Sequence, residues 1–92
     1  MTPTTRVQRA RDTAWRRVED EVAIISMDAN RIRLLNRVGS FLWERCDNAT
    51  VGELVDALCE RYDVDAEAAR RDVDAFLDDL RARGLVTTEP SP

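Results

Sequence analysis

The 92-residue chain has no histidine and no lysine, and only two cysteines, three glycines and five aromatic residues. Lacking histidine, it lacks the side chain that titrates nearest neutral pH and the commonest metal ligand. Cys46 and Cys59 lie thirteen residues apart with no CxxC pair, so a zinc site would be short of ligands. Each cysteine falls on an apolar helix stripe and reads as a reduced core thiol, with an approach between the two left open by the sequence. No serine or cysteine stands beside a base, and no glycine-rich loop could cradle a phosphate, so nothing supports an enzyme and no cofactor is called for. No apolar run approaches the roughly 20 residues that cross a bilayer. Met1 to Thr13 carry three arginines without an apolar h-region, so no signal peptide is read and a cytoplasmic protein without membrane contact is expected.

What is present is one domain's worth of chain, 43% hydrophobic, enough for a single core without metal or disulfide support. All fourteen basic residues are arginine, and eighteen carboxylates outnumber them to leave a net charge of −4. That balance disfavours nucleic acid as a partner.

The hydrophobic period changes at Asn36. Ahead of it, Val22 to Met27 is almost wholly apolar and reads as a central strand. Arg31 to Leu35 alternates, with Ile32 and Leu34 pointing one way and Arg31, Arg33 and Leu35 the other. Asp28-Ala29-Asn30 is a three-residue hairpin loop between them, and Ala14 to Val18 a short first strand anchored by Trp15 and Val18. Trp15 itself fits core, groove or neither. Beyond Asn36, Val38, Phe41, Leu42 and Cys46 recur at helical spacing, and Asn36 is a good N-cap for a helix over 37–46. Gly39 and Trp43 lie off that stripe, so this helix is expected to be buried on two sides. Thr50-Val51-Gly52-Glu53 is a capping box for a second helix that buries Leu54, Val55, Leu58, Cys59 and Tyr62. Asp65 caps a third, whose stripe is Ala66, Ala69, Val73, Phe76, Leu77 and Leu80, closed by Gly84. Residues 1–13 read as a flexible arm and 87–92 as a polar tail, with the domain over 14–86. The predicted class is α+β: a small three-stranded antiparallel sheet followed by three helices, a winged helix-turn-helix.

Three runs in this order carry a resemblance. Leu34-Leu35-Asn36-Arg37-Val38-Gly39-Ser40-Phe41-Leu42-Trp43 resembles the "LN…G..IW" element of the PqqD-like family. Thr50-Val51-Gly52-Glu53-Leu54 with Leu58 and Tyr62 is similar to its second helix, and Asp72-Val73, Phe76-Leu77, Leu80 and Gly84-Leu85-Val86 to its ending. One departure is Asp47-Asn48 where Asp-Gly is common, and asparagine tolerates the left-handed conformation required there. Members of this family are recognition elements that hold the leader of a ribosomally made precursor peptide (a RiPP precursor) for modifying enzymes.

The resemblance implies a peptide chaperone without catalytic function, working with a separate modifying enzyme such as a radical-SAM enzyme, a cyclase or a leader protease. It implies that the leader adds as a strand beside the third strand, along Arg31, Ile32, Arg33 and Leu34, and lies against helix three. The polar flank Arg70, Asp74, Asp78 and Arg81, with Leu77 at its border, is the side of helix three expected to line that groove, and Arg83 is expected far from it. Arg31 and Arg33 would suit an acidic leader, although arginines at alternate positions also describe an ordinary solvated strand face. Two rivals come from other classes: a DNA-binding winged-helix regulator and a generic interaction domain of the same fold. The carboxylates Glu67, Asp74, Asp78 and Asp79 oppose the arginines of helix three and weaken the first.

Overall fold

A computed structural model describes residues 1–26 and 31–90. The hairpin loop expected at Asp28-Ala29-Asn30 lies outside the described residues. The elements run β1 (Arg6–Arg9), β2 (Thr13–Val18), β3 (Glu21–Ser26), β4 (Arg31–Leu34), α1 (Arg37–Cys46), β5 (Ala49–Thr50), α2 (Val51–Tyr62), α3 (Ala66–Ala82) and β6 (Val86–Glu89).

The expected antiparallel sheet is present in the order β2-β3-β4, with β3 at its centre. Each helix begins where its cap residue stands. The Asn36 side chain accepts from the Gly39 amide at 2.7 Å. Thr50 and Glu53 close a reciprocal box, the Thr50 amide donating to Glu53 Oε1 at 2.9 Å and the Glu53 amide to Thr50 Oγ1 at 3.2 Å. Asp65 accepts from the Ala68 amide at 2.8 Å. Gly84, at φ +74°, lets the chain leave α3, and a left-handed backbone there suits glycine.

One face of the β2-β3-β4 sheet packs on the helices, and a buried serine fixes the join. Ser40 Oγ of α1 accepts from the Val22 amide at 2.7 Å, while the Leu35 amide donates to the Val22 carbonyl at 2.9 Å. Val22, Ile24 and Leu35 thereby face Leu42, Trp43, Leu54, Leu58, Val73, Leu77 and Leu80 in one core. As expected, α1 is buried on two sides: Gly39, Ser40, Leu42, Trp43 and Cys46 are all inside. Gly39 is a point of close approach, since a Cβ there would sit 3.5 Å from the Phe76 ring of α3.

The reading of 1–13 as a flexible arm and 87–92 as a tail is corrected at both ends. Residues 6–9 form β1, the middle strand of a second sheet ordered β5-β1-β6, and Val86–Glu89 forms its β6 edge. Val7 is completely buried in the core. The segment ahead of it is tied down as well, because the Val51 amide donates to the Thr5 carbonyl and the Gly52 amide to the Pro3 carbonyl, both at 2.9 Å. A Cβ on residue 52 would press to 3.2 Å from that carbonyl, so glycine permits the approach. The physical reason for the misreading is that β1 carries a single core side chain. Its main-chain partners lie more than forty residues away in sequence, Arg6 opposite Thr50 and Glu89, where no local pattern records them.

Arg9 closes the seam between the sheets. Its guanidinium lies 5.0 Å from the Trp15 ring centroid and 5.2 Å from that of Trp43 and donates to the Glu44 carbonyl at 3.1 Å. The two indoles meet edge to face at 6.5 Å. Trp15 is thus a half-covered wall of this seam rather than a core or groove residue.

Candidate functional site

Two edge strands bound the β2-β3-β4 sheet, and the outer edge of β4 borders a groove. β4 pairs with β3, Ile24 opposite Arg33 and Ile25 opposite Ile32, and no strand among the described residues lies on its outer side. Main-chain groups alternate direction along a strand. Because the Leu35 amide points inward to Val22, the amides of Arg33 and Arg31 also point to β3. Those of Ile32 and Leu34, with their carbonyls, point to the free edge.

Side chains follow the same alternation. Ile32 and Leu34 stand on the outer face of the sheet, 71% and 70% exposed, with Ile25 beside them. Arg33 turns inward toward α3 and pairs with Asp79 at 2.5 Å. Asp79 also accepts from Arg83 Nε at 3.1 Å, so one carboxylate stands between two guanidinium groups. A groove of about 520 Å³ runs along this edge, lined by Arg31, Ile32, Arg33 and Leu34 on one side and by Ala82, Arg83 and Leu85 on the other.

β4 and α3 therefore meet, but through a different flank of the helix from the polar one expected from the sequence. Leu77 is completely buried and belongs to the core. Arg81 donates to Thr88 of β6 at 3.2 Å and pairs with Asp78 at 3.4 Å, and Arg70 donates to the Met1 carbonyl at 3.3 Å. Arg70, Asp74 and Arg81 share one helical stripe by their spacing, and these contacts turn it toward the β5-β1-β6 sheet. On the other side of the core stripe Ala69-Val73-Leu80, Asp79, Ala82 and Arg83 stand beside β4. Arg83, expected to be remote, lines the groove. Both flanks are polar and similarly spaced. Which one faces β4 depends on how α3 packs across the sheet, and helical periodicity is silent on that.

The exposed edge offers two N–H donors and two carbonyl acceptors in strand register, an arrangement of the kind β-augmentation uses. Three arginines, Arg31, Arg33 and Arg83, line the groove, and Asp79 pairs with two of them, so the groove is locally positive on a chain of net charge −4. Elsewhere the thiols carry no site: both cysteines are free and Cys46 is buried. Burial pushes the Cys46 thiol up to about 11, with nearby Arg9 opposing the shift only in part. Among the described residues no helix is long and apolar enough to cross a membrane.

Residues 21–86 match the family described as coenzyme PQQ synthesis protein D, PqqD, and the chain belongs to that family. Its structure is similar to that of TbiB1 in complex with the TbiA(beta) leader peptide, with 26% identity, a TM-score of 0.84, and coverage of 91% of this chain and 99% of that one. It also shares its fold with lasso peptide synthetase B1 complexed with the leader peptide, at 16% identity, TM-score 0.76, and coverage of 91% and 98%. No curated protein matches the chain.

Proposed function

We propose that this chain is a non-catalytic peptide-binding protein that holds the leader of a ribosomally made precursor peptide in the groove between β4 and α3 and presents it to a separate modifying enzyme. The observation that carries the reading is the free β4 edge, with the Ile32 and Leu34 amides directed into an open groove. It occurs in a fold that matches leader-bound TbiB1 over nearly its whole length.

The edge also defines what kind of peptide fits. An added strand places alternate side chains on the two faces of the sheet. One set lies beside exposed Ile32 and Leu34 and suits apolar residues. The other faces Arg33, Arg83 and Asp79 and suits acidic ones. A leader segment alternating apolar and acidic residues is therefore the best match. The flank of α3 that receives it is Asp79, Ala82 and Arg83, in place of Arg70, Asp74, Asp78 and Arg81. The enzyme that receives the peptide is a separate chain, of the radical-SAM, cyclase or leader-protease kind.

DNA binding gains no support. α3 carries five carboxylates (Glu67, Asp72, Asp74, Asp78, Asp79) against three arginines (Arg70, Arg71, Arg81), which leaves it net negative and repels phosphates more than it attracts them.

Isothermal titration with the leader of a short precursor encoded beside this chain's gene tests the reading. One leader should bind per chain, and the double variant Arg33→Glu with Arg83→Glu should bind it about ten-fold more weakly, roughly 1.4 kcal/mol. No binding by the folded protein, or covalent change of the peptide by this chain alone, would contradict it.

A further inference from the structure

A second cleft, of about 450 Å³, opens between β2, α1 and the last turn of α2. Its lining carries four arginines, Arg17, Arg37, Arg45 and Arg61, against two carboxylates, Asp20 and Glu44, together with Phe41 and Tyr62. Both carboxylates are already engaged, Glu44 with Arg17 and Asp20 with Arg37. Arg45 and Arg61 have no carboxylate partner among the described residues. They lie instead over aromatic rings, Arg45 3.8 Å from the Phe41 centroid and Arg61 5.8 Å from that of Tyr62. The two rings meet edge to face at 5.6 Å. Arg45 donates one N–H to the Phe41 carbonyl at 3.3 Å, and a guanidinium beside a ring keeps its remaining in-plane N–H donors available for a carboxylate.

We propose that this cleft docks a short acidic segment of a separate protein. The charge argument is local. Four arginines and two carboxylates leave a surplus of two positive charges here, on a chain whose net charge is −4. The lining is also open: the side chains of Arg17 and Arg37 are 51% and 70% exposed. An enclosing, mostly apolar pocket would suit a small molecule better. A nucleic acid strand would carry its phosphates past Asp20, Glu44 and the acid-rich remainder of the chain, whereas a few carboxylates need only the arginines themselves. Because β2 and β4 are opposite edges of the β2-β3-β4 sheet, an acidic segment here and a strand on β4 can be held together. The cleft stands on its own observations and does not depend on what occupies the β4 edge.

The probe is a short synthetic peptide of Glu-Pro-Pro repeats, whose prolines deny it the amides for strand pairing on β4, titrated into the isotope-labelled full chain and followed by backbone amide shifts. Shifts should gather at Phe41, Arg45, Arg61 and Tyr62. The double variant Arg45→Glu with Arg61→Glu should weaken the peptide at least ten-fold, Arg45→Gln with Arg61→Gln should weaken it less, and Arg71→Glu, exposed on α3 outside both clefts, should leave it unchanged. Both pairs sit on exposed positions of α1 and α2, and a dispersed amide spectrum verifies the fold of each. Equal binding of a Gln-Pro-Pro counterpart, shifts confined to β4, or no shifts at all would overturn the proposal. So would tighter binding at these residues by inorganic triphosphate or by a random single-stranded oligonucleotide, the first marking a small-anion site and the second a nucleic-acid site.

Discussion

Replacing Val7 by alanine measures how much of this fold rests on a strand that carries a single core residue. Val7 is wholly buried in the middle strand of the β5-β1-β6 sheet, and its carbonyl accepts from the Asn48 amide at 2.7 Å. Alanine keeps that backbone pairing and removes two methyl groups. At about 0.8 kcal/mol per buried carbon the transfer loss is roughly 1.6 kcal/mol, and the cavity raises it to about 2–3 kcal/mol. For a domain of this size such a loss lowers Tm by about 10–20 °C. The effect reaches the groove, because β6 pairs with β1 and follows directly on α3 through Gly84 and Leu85. Loosening that sheet frees the end of α3 that sets Asp79 and Arg83 against β4. Gln8→Ala is the matched control, an exposed neighbour on the same strand whose loss should fall within about 0.5 kcal/mol. Urea unfolding of both variants, followed by circular dichroism, gives the comparison. Equal midpoints for Val7→Ala and Gln8→Ala would refute the reasoning and return residues 1–13 to a loose arm.

Three further outcomes follow from the site and its surroundings. Asp79→Asn removes the carboxylate between Arg33 and Arg83, so an acidic leader should bind several-fold more tightly by titration calorimetry, while stability falls by less than about 1 kcal/mol because the pairs are half-exposed. A thiol reagent at pH 8 should label Cys59 in the native protein and reach Cys46 only on unfolding, since Cys46 is buried and its thiol is pushed up to about 11; mass spectrometry of the labelled peptides reads this directly. The Glu53 carboxyl is held below its ordinary value of 4.5, chiefly by the Thr50 amide it accepts from, so its contribution to stability is fully present above pH 4.5 and is lost as pH falls through the lowered value. Glu53→Gln should therefore show a smaller drop in urea midpoint between pH 6 and pH 3 than the parent chain.

The fold class, the three helices and their caps were legible because each is written locally. Asn36, Thr50 with Glu53, and Asp65 announce the helix starts, and the switch at Asn36 separates strand from helix. The β1 strand was not legible, because its evidence is one valine and a set of backbone bonds to residues far along the chain. The β4 edge could be read from alternation, but the partner flank of α3 could not. Two polar stripes, Arg70-Asp74-Arg81 and Asp72-Asp79-Arg83, have the same period, and only packing distinguishes them. A faint signal existed in Phe76, the apolar member of the second stripe, which marks that side as the one packed toward α1. The cleft at Arg45 and Arg61 left no pattern either, since its walls come from β2, α1 and α2 together.

The account's central claim is that a leader peptide pairs with the outer edge of β4, and amide hydrogen exchange at single-residue resolution tests it most directly. In the free protein the Ile32 and Leu34 amides point to the open edge and should exchange fast, while those of Arg33 and Leu35, directed to β3, should be protected. Saturating leader should slow Ile32 and Leu34 by at least about ten-fold, a modest opening free energy of roughly 1.4 kcal/mol, and leave Arg33 and Leu35 nearly unchanged. If a leader that binds by calorimetry leaves Ile32 and Leu34 exchanging at their free rates, strand addition at β4 is contradicted.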